Sequence, residues 1–365
     1  MKILNWYVTK SFLVTFFMAI GVLTFGMTGA QLMKVIQYLS QGIPLSLAGE
    51  FLVMTIPMAL AFTIPWAALV SIMLVFGRMS ADNEITAMRA CGVSILQITA
   101  PIIVSAFALT CLCLYLQLEV GPRMLGNARK LLQRVFVSHP VSLFTPGIPI
   151  EFNRLSIYID AKDADNNIYD IQLYVLDGKN VIRQDITASR GKIVTHEDTQ
   201  VLEIILYDAT GSSLEGGAAL DKSVYLTGSE AHFFIEYGKE FNSSDVSRKD
   251  KYLTAEELFA RSIVEKRLGH ETNRLEVELN QRVALALAPI AFMMLGLPLA
   301  IRTSRRETSS GLFLSVILAS AYYGGVLVSD ALRNHAALYP QHIVWIPPLL
   351  FQIFGAVYIF KIARK

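Results

Sequence analysis

The chain has 365 residues, 53% of them hydrophobic and only 17% charged, with a mean hydropathy of +0.45. That is more apolar than one soluble core requires, so an ordinary soluble domain is excluded, and the formal net charge of +2 informs only through its distribution. The three cysteines, Cys91, Cys111 and Cys113, lie in or beside the first apolar block, which leaves the polar middle without a disulfide framework.

The apolar residues gather at the two ends, so the chain reads as two membrane blocks around one aqueous insertion. After Lys2 and Lys10, residues 11–33 run without a charge, long enough to cross a bilayer core of about 30 Å. A signal peptide is the competing reading, with Thr28-Gly29-Ala30 as its cleavage site. Its apolar stretch would be about 7–15 residues, and the longer run favours a retained helix. Gly26 and Ala30 form a small-residue pair that lets another helix approach. Lys34 ends this span and is the only cation in the loop that runs to Glu50. It reads either as an interfacial lysine snorkelling to headgroups or as a phosphate contact for an anionic lipid.

Residues 51–77 form a second span interrupted by Pro57 and Pro65. Next comes a polar stretch, residues 78–94, with the spacing of a short amphipathic helix. Ser80 or Asp82 caps its start, Asp82 and Glu84 occupy its first turn, Arg89 its last, and Gly92 takes the left-handed position that ends it. Ile85, Met88 and Gly92 share one narrow face. On the residues alone, this is as much a capped surface helix as a docking element. Residues 96–118 form the third span.

Residues 119–281 are polar, with 19 Lys and Arg against 25 Asp and Glu. A helix over 120–137 opens this insertion; the pattern then changes to period two. Leu155, Ile157 and Ile159, then Ile171, Leu173 and Val175, then Leu202, Ile204 and Leu206 each alternate with mostly polar neighbours. Asp177-Gly178, Thr210-Gly211, Gly216-Gly217 and Thr227-Gly228 supply turns. An antiparallel sandwich or jelly roll over residues 140–250 is the expectation. Helical spacing returns over 253–281. The fourth span follows Arg282 over 283–301, with Arg302, Arg305 and Arg306 after it, and the fifth and sixth cover 311–329 and 342–362.

The run Glu84 to Gly92, E-I-T-A-M-R-A-C-G, resembles the coupling helix of the LptF/LptG permease family, the paired membrane subunits of the lipopolysaccharide exporter. E-L-N-Q-R-V-A-L-A-L-A-P (278–289) and L-G-L-P-L-A (295–300) resemble the start and end of that family's fourth helix, and residues 186–207 are similar to its periplasmic β-jelly roll. The resemblance implies an α-helical membrane protein with six transmembrane helices, three plus three, around an inserted all-β domain. The blocks would be residues 1–118 with the coupling helix at 80–92, 119–281, and 282–365. It further implies that a partner ATPase grips Asp82, Glu84, Ile85, Met88, Arg89 and Gly92, and that Lys34 contacts the lipid. Leu155, Ile157, Ile171, Leu173, Leu202 and Ile204 become candidates to line an acyl-chain groove. The implied partners are the sister permease in a heterodimer, two copies of the ATPase, a single-span jelly-roll protein of the bridge to the outer membrane, and lipopolysaccharide; nucleic acid is not among them. No cofactor is expected in this chain, ATP and magnesium being used by the ATPase.

A cytoplasmic N-terminus with six spans places Lys2, Lys10, Arg78, Arg89, Arg302, Arg305, Arg306, Lys361, Arg364 and Lys365 inside, against Lys34 and Arg333 in short outer loops. The expected location is the bacterial inner membrane, with both termini cytoplasmic and the large domain periplasmic. No phosphate-binding G-x-x-x-x-G-K-[ST] or zinc-binding H-E-x-x-H motif occurs, so the chain carries neither nucleotide hydrolysis of that kind nor that metalloprotease chemistry. The expectation is a non-catalytic transport subunit. A membrane-anchored structural or sensory protein with a β domain, and a mechanotransmitting permease for another substrate, are the alternatives.

Overall fold

The computed structural model describes residues 2–40, 43–138, 140–152, 155–163, 165–177, 182–196, 199, 201–214, 223–236, 250–270, 272–303, 308–333, 335 and 338–363. They fall into two compact units, Met1–Met33 with Leu52–Asn127 and Lys249–Lys365, and Lys34–Phe51 with Ala128–Arg248. The turns expected at Gly178 and Gly216-Gly217, and the cations Arg305, Arg306, Arg364 and Lys365, lie outside the described residues.

The first unit is helical. Five described helical segments are long and apolar enough to cross a membrane, or six if one bent pair is counted as a span. Helices α1 (Lys2–Ser40) and α2 (Leu45–Ala81) each exceed the predicted span, because nothing between their ends breaks the backbone hydrogen-bond ladder except the prolines of α2. Within its most apolar window α2 is 72% buried and α1 only 11%, so α2 is the central post and α1 lies at the periphery of its unit. After the short α3 (Glu84–Ala90), α4 (Ile95–Tyr115) starts with a reciprocal cap. Ser94 Oγ accepts from Gln97 N–H at 3.3 Å while Ser94 N–H donates to Gln97 Oε1 at 3.0 Å.

The predicted boundary at residue 118 is not a break. A π-helical turn, Leu116–Val120, carries α4 directly into α5 (Gly121–Ser138). Gly121 N–H reaches back to Leu116 O, and a Cβ at Gly121 would stand 2.8 Å from that oxygen, so glycine permits the turn.

The helical return expected over 253–281 is two helices, α6 (Ala255–Arg267) and α7 (Asn273–Ala286). Gly269 separates them at φ +77°, with His270 N–H on Glu265 O and Gly269 N–H on Lys266 O closing α6. Helix α7 meets α8 (Ala288–Thr303) at a 41° bend next to Pro289, which has no N–H to continue the ladder. Arg282, read from sequence as a flanking charge, is instead buried. Its Nε donates to Glu278 Oε1 at 3.0 Å, Nη1 to Leu253 O at 2.6 Å and Nη2 to Asp250 O at 3.0 Å, which spreads the charge over three acceptors. Helices α9 (Thr308–Ala331), α10 (Pro340–Ile343) and α11 (Ile346–Ala363) complete the unit. Tyr322 and Tyr323 of α9 donate to Ala284 O and Phe62 O at 2.6 and 2.9 Å, tying α9 to α7 and α2.

The second unit is built on one antiparallel sheet: β1 (Ile150–Phe152), β2 (Leu155–Lys162), β3 (Asn167–Leu176), β4 (Ile182–His196), β5 (Val201–Leu214) and β6 (Ser223–Ile235). The strands are hydrogen-bonded in sequence order, β1 to β6. Its core comprises Phe144, Ile157, Ile159, Ile168, Ile171, Leu173, Leu202, Ile204 and Leu206, each at most 1% exposed and contributing about 1.5–3 kcal/mol by burial.

One transverse row creases this sheet. The pairs Asp160/Asp170, Asp170/Ser189, Ala188/Ala209, Ser189/Asp208 and Asp208/Ser229 are missing from the ladders, and the register is the same on both sides of the gap. Asp170 and Asp208 have φ of 50° and 53°. The buried positions slip by one residue at the same row, from Ile168 to Ile171, Ala188 to Gly191 and Leu206 to Ala209. Because β3, β4 and β5 slip together, both leaves of these strands keep their apolar residues on the same side.

On the outer face of the last three strands, Glu203 holds His196 Nε2 at 2.8 Å and His232 Nδ1 at 2.7 Å. The His196 contact, then the His232 contact, lowers the Glu203 pKa. A depressed carboxylate pKa stabilises the folded state above the unfolded value of about 4.3, and that contribution is lost as pH falls through the folded value. Thermal melting monitored on the β unit is therefore expected to steepen its pH dependence below about pH 4.3, and Glu203→Gln to flatten it. Identical pH profiles for the two chains would contradict this clip.

Candidate functional site

The polar stretch after α2 folds into a compact element, but not with the predicted start. Helix α2 runs on to Ala81, so neither Ser80 nor Asp82 caps α3. Ser80 Oγ donates instead to Ile301 O at 2.7 Å, fastening the end of α2 to the end of α8. Asp82 N–H returns to Arg78 O at 2.9 Å, and Asn83 takes the left-handed conformation, φ 59°, that turns the chain into α3. Asparagine tolerates that region better than most residues.

The other end forms as the sequence indicates. Gly92 has φ +83°, its N–H donates to Arg89 O at 2.9 Å, and Val93 N–H donates to Met88 O at 3.1 Å. This pair of bonds satisfies the last carbonyls of α3, and Ser94 begins α4 two residues later. A seven-residue helix too short to be stable alone is thus held by a tight turn at each end.

Ile85 is 4% exposed in the helical core and Met88 packs partly against it, while Asp82, Arg89 and Gly92 face solvent. Glu84, half-buried, accepts from the Tyr7 hydroxyl at 3.1 and 3.3 Å. Tyr7 belongs to α1 and was not singled out from the sequence, since the two residues are 77 positions apart. A second polar link from α1 is Thr24 Oγ1 to Thr63 Oγ1 of α2 at 2.9 Å. The element can act as a rigid lever: one face is anchored, the other exposed, and a carboxylate is tied to the peripheral helix.

The family model described as lipopolysaccharide export system permease LptF/LptG matches residues 6–361. The chain belongs to the LptF/LptG family. No curated protein matches it. The LptF/LptG chain is thus an inner-membrane permease of lipopolysaccharide export, which acts with partner subunits.

In this permease, Lys34 is exposed on α1 six residues before its end, inside the helix rather than at its terminus. Of the groove candidates, Ile157, Ile171, Leu173, Leu202 and Ile204 are fully buried and Leu155 half-buried. All six belong to one packed face, so they meet each other and leave no open channel among themselves. Among the described residues, no group of three or more His, Cys, Asp or Glu side chains is arranged to hold a metal.

Proposed function

We propose that this permease is a non-catalytic subunit that takes lipopolysaccharide from the inner membrane and passes it toward a periplasmic bridge. Its spans number six, counting the bent α7–α8 pair as one, with both termini cytoplasmic and the β unit in the periplasm as a jelly-roll-type domain. It pairs with a sister permease and two copies of an ATPase, and hands lipid to a single-span jelly-roll protein. The ATPase grips α3 through Asp82, Glu84, Met88, Arg89 and Gly92, whereas Ile85, expected among these contacts, is buried in this chain's own core and anchors the helix instead. ATP and magnesium act there, not in this chain.

The observation that carries this reading is α3 itself, a helix closed at both ends, with Ile85 anchored in the core and Asp82 and Arg89 presented to solvent. A force applied to it moves α2 and α4 directly and α1 through Glu84 and Tyr7. Lys34 supplies a phosphate contact for the lipid, and the face made by Leu155, Ile157, Ile171, Leu173, Leu202 and Ile204 opens to take acyl chains.

The lipid step is testable at Met33, an exposed neighbour of Lys34. A photo-crosslinker at position 33 is expected to capture lipopolysaccharide in native membranes. Lys34→Glu should reduce that capture about tenfold, since it sets a carboxylate against a phosphate. Unchanged capture would remove Lys34 from the lipid path.

A further inference from the structure

The outer side of the sheet crease is concave. Beside the row where β3, β4 and β5 slip by one residue, there is a cleft of about 500 Å³ lined by Asn167, Tyr169, Arg190, Tyr207, Asp208 and Ser229 among others. That volume is in the range of small-molecule sites. Arg190 of β4 stands directly across from Tyr169 of β3 and from Tyr207 of β5 in the two ladders. At ordinary strand spacing the two tyrosines are roughly 10 Å apart, with Arg190 on the strand between them. Arg190, Asn167, Asp208 and both tyrosine hydroxyls make no side-chain hydrogen bond or ion pair among the described residues.

We propose that this cleft binds a saccharide ring. A pyranose presents an apolar C–H face that rests on an aromatic ring, and neighbouring hydroxyls that pair with planar polar groups. Tyr169 and Tyr207 supply the rings, Arg190 and Asn167 donate, and Asp208 accepts. Among the described residues of the lining, Arg190 and Asp208 are the only charged groups and cancel, which favours a neutral ring over a bare phosphate. Binding of the ring does not depend on the permease reading; that the ring belongs to the exported lipid does.

The test is saturation-transfer NMR on the full chain in detergent micelles with two probes, the deacylated oligosaccharide of lipopolysaccharide and maltoheptaose. Transfer to ring protons of either probe is expected, and Tyr169→Ala and Arg190→Gln should each weaken it at least about tenfold. His196→Ala, on the same face but outside the cleft, should keep it and serves as the control for sheet integrity. Preference for the first probe assigns the ring to the exported lipid, and equal binding assigns the site to saccharides generally. No transfer from either probe, or equal transfer in the Tyr169 and Arg190 variants, overturns the proposal. Recovery of the chain with an ATPase is a separate observation, so failure here leaves the transport reading standing, and the reverse holds too.

Discussion

Gly355→Leu is expected to abolish assembly of the helical unit. A Cβ at Gly355 would lie 2.6 Å from Met294 C, 2.7 Å from Met294 O and 2.8 Å from Leu295 N, all backbone atoms of α8. No rotamer change relieves such a contact, so α11 must separate from α8. Overpacking a rigid core costs about 1–3 kcal/mol when side chains can yield, and more when the obstacle is backbone. The measurement is the yield of monodisperse protein after detergent extraction, with Gly21→Leu as control, because nothing stands within 4 Å of a Cβ at Gly21. Equal yields would mean that α8 and α11 do not pack through their backbones.

Glu84→Ala has the second large expected effect, on coupling rather than folding. The side chain is half-buried and bonded to Tyr7, so its loss leaves α3 in place through Ile85 and Gly92 but removes its charge and its link to α1. Reconstituted with its partners, this variant should insert normally and export at least about tenfold less lipopolysaccharide, the equivalent of one lost charge-assisted contact. Tyr7→Phe keeps the carboxylate and loses only the internal hydrogen bond, so its defect should be smaller. Normal export by Glu84→Ala would detach α3 from energy coupling.

Much of this was legible in residue order where local chemistry decides the outcome. Gly92 ends α3 because a left-handed residue was needed and glycine stood there. The start of α3 was misplaced because Ser80 and Asp82 are good caps for any helix, yet nothing upstream stops α2, and the end of α8 offers Ser80 a better partner in Ile301 O. The turn was signalled by Asp82-Asn83, a pair that favours such conformations. Likewise the strands of the β unit were visible as alternation, but their crease was not, since short windows on either side of Asp170 or Asp208 each look regular. The change of parity from Leu206 to Ala209 carries that information. Tyr7 and the cleft around Arg190 depend on contacts distant in sequence, which no local pattern encodes.

In the proposed mechanism this chain is one subunit of an energised assembly. Gentle solubilisation of the tagged chain from its native membrane, followed by mass spectrometry of what stays bound, tests that directly. The predicted result is a second six-span permease, an ATPase in two copies and lipopolysaccharide. A chain recovered alone, or with an outer partner and no ATPase, would contradict the coupling role and leave α3 a capped surface helix.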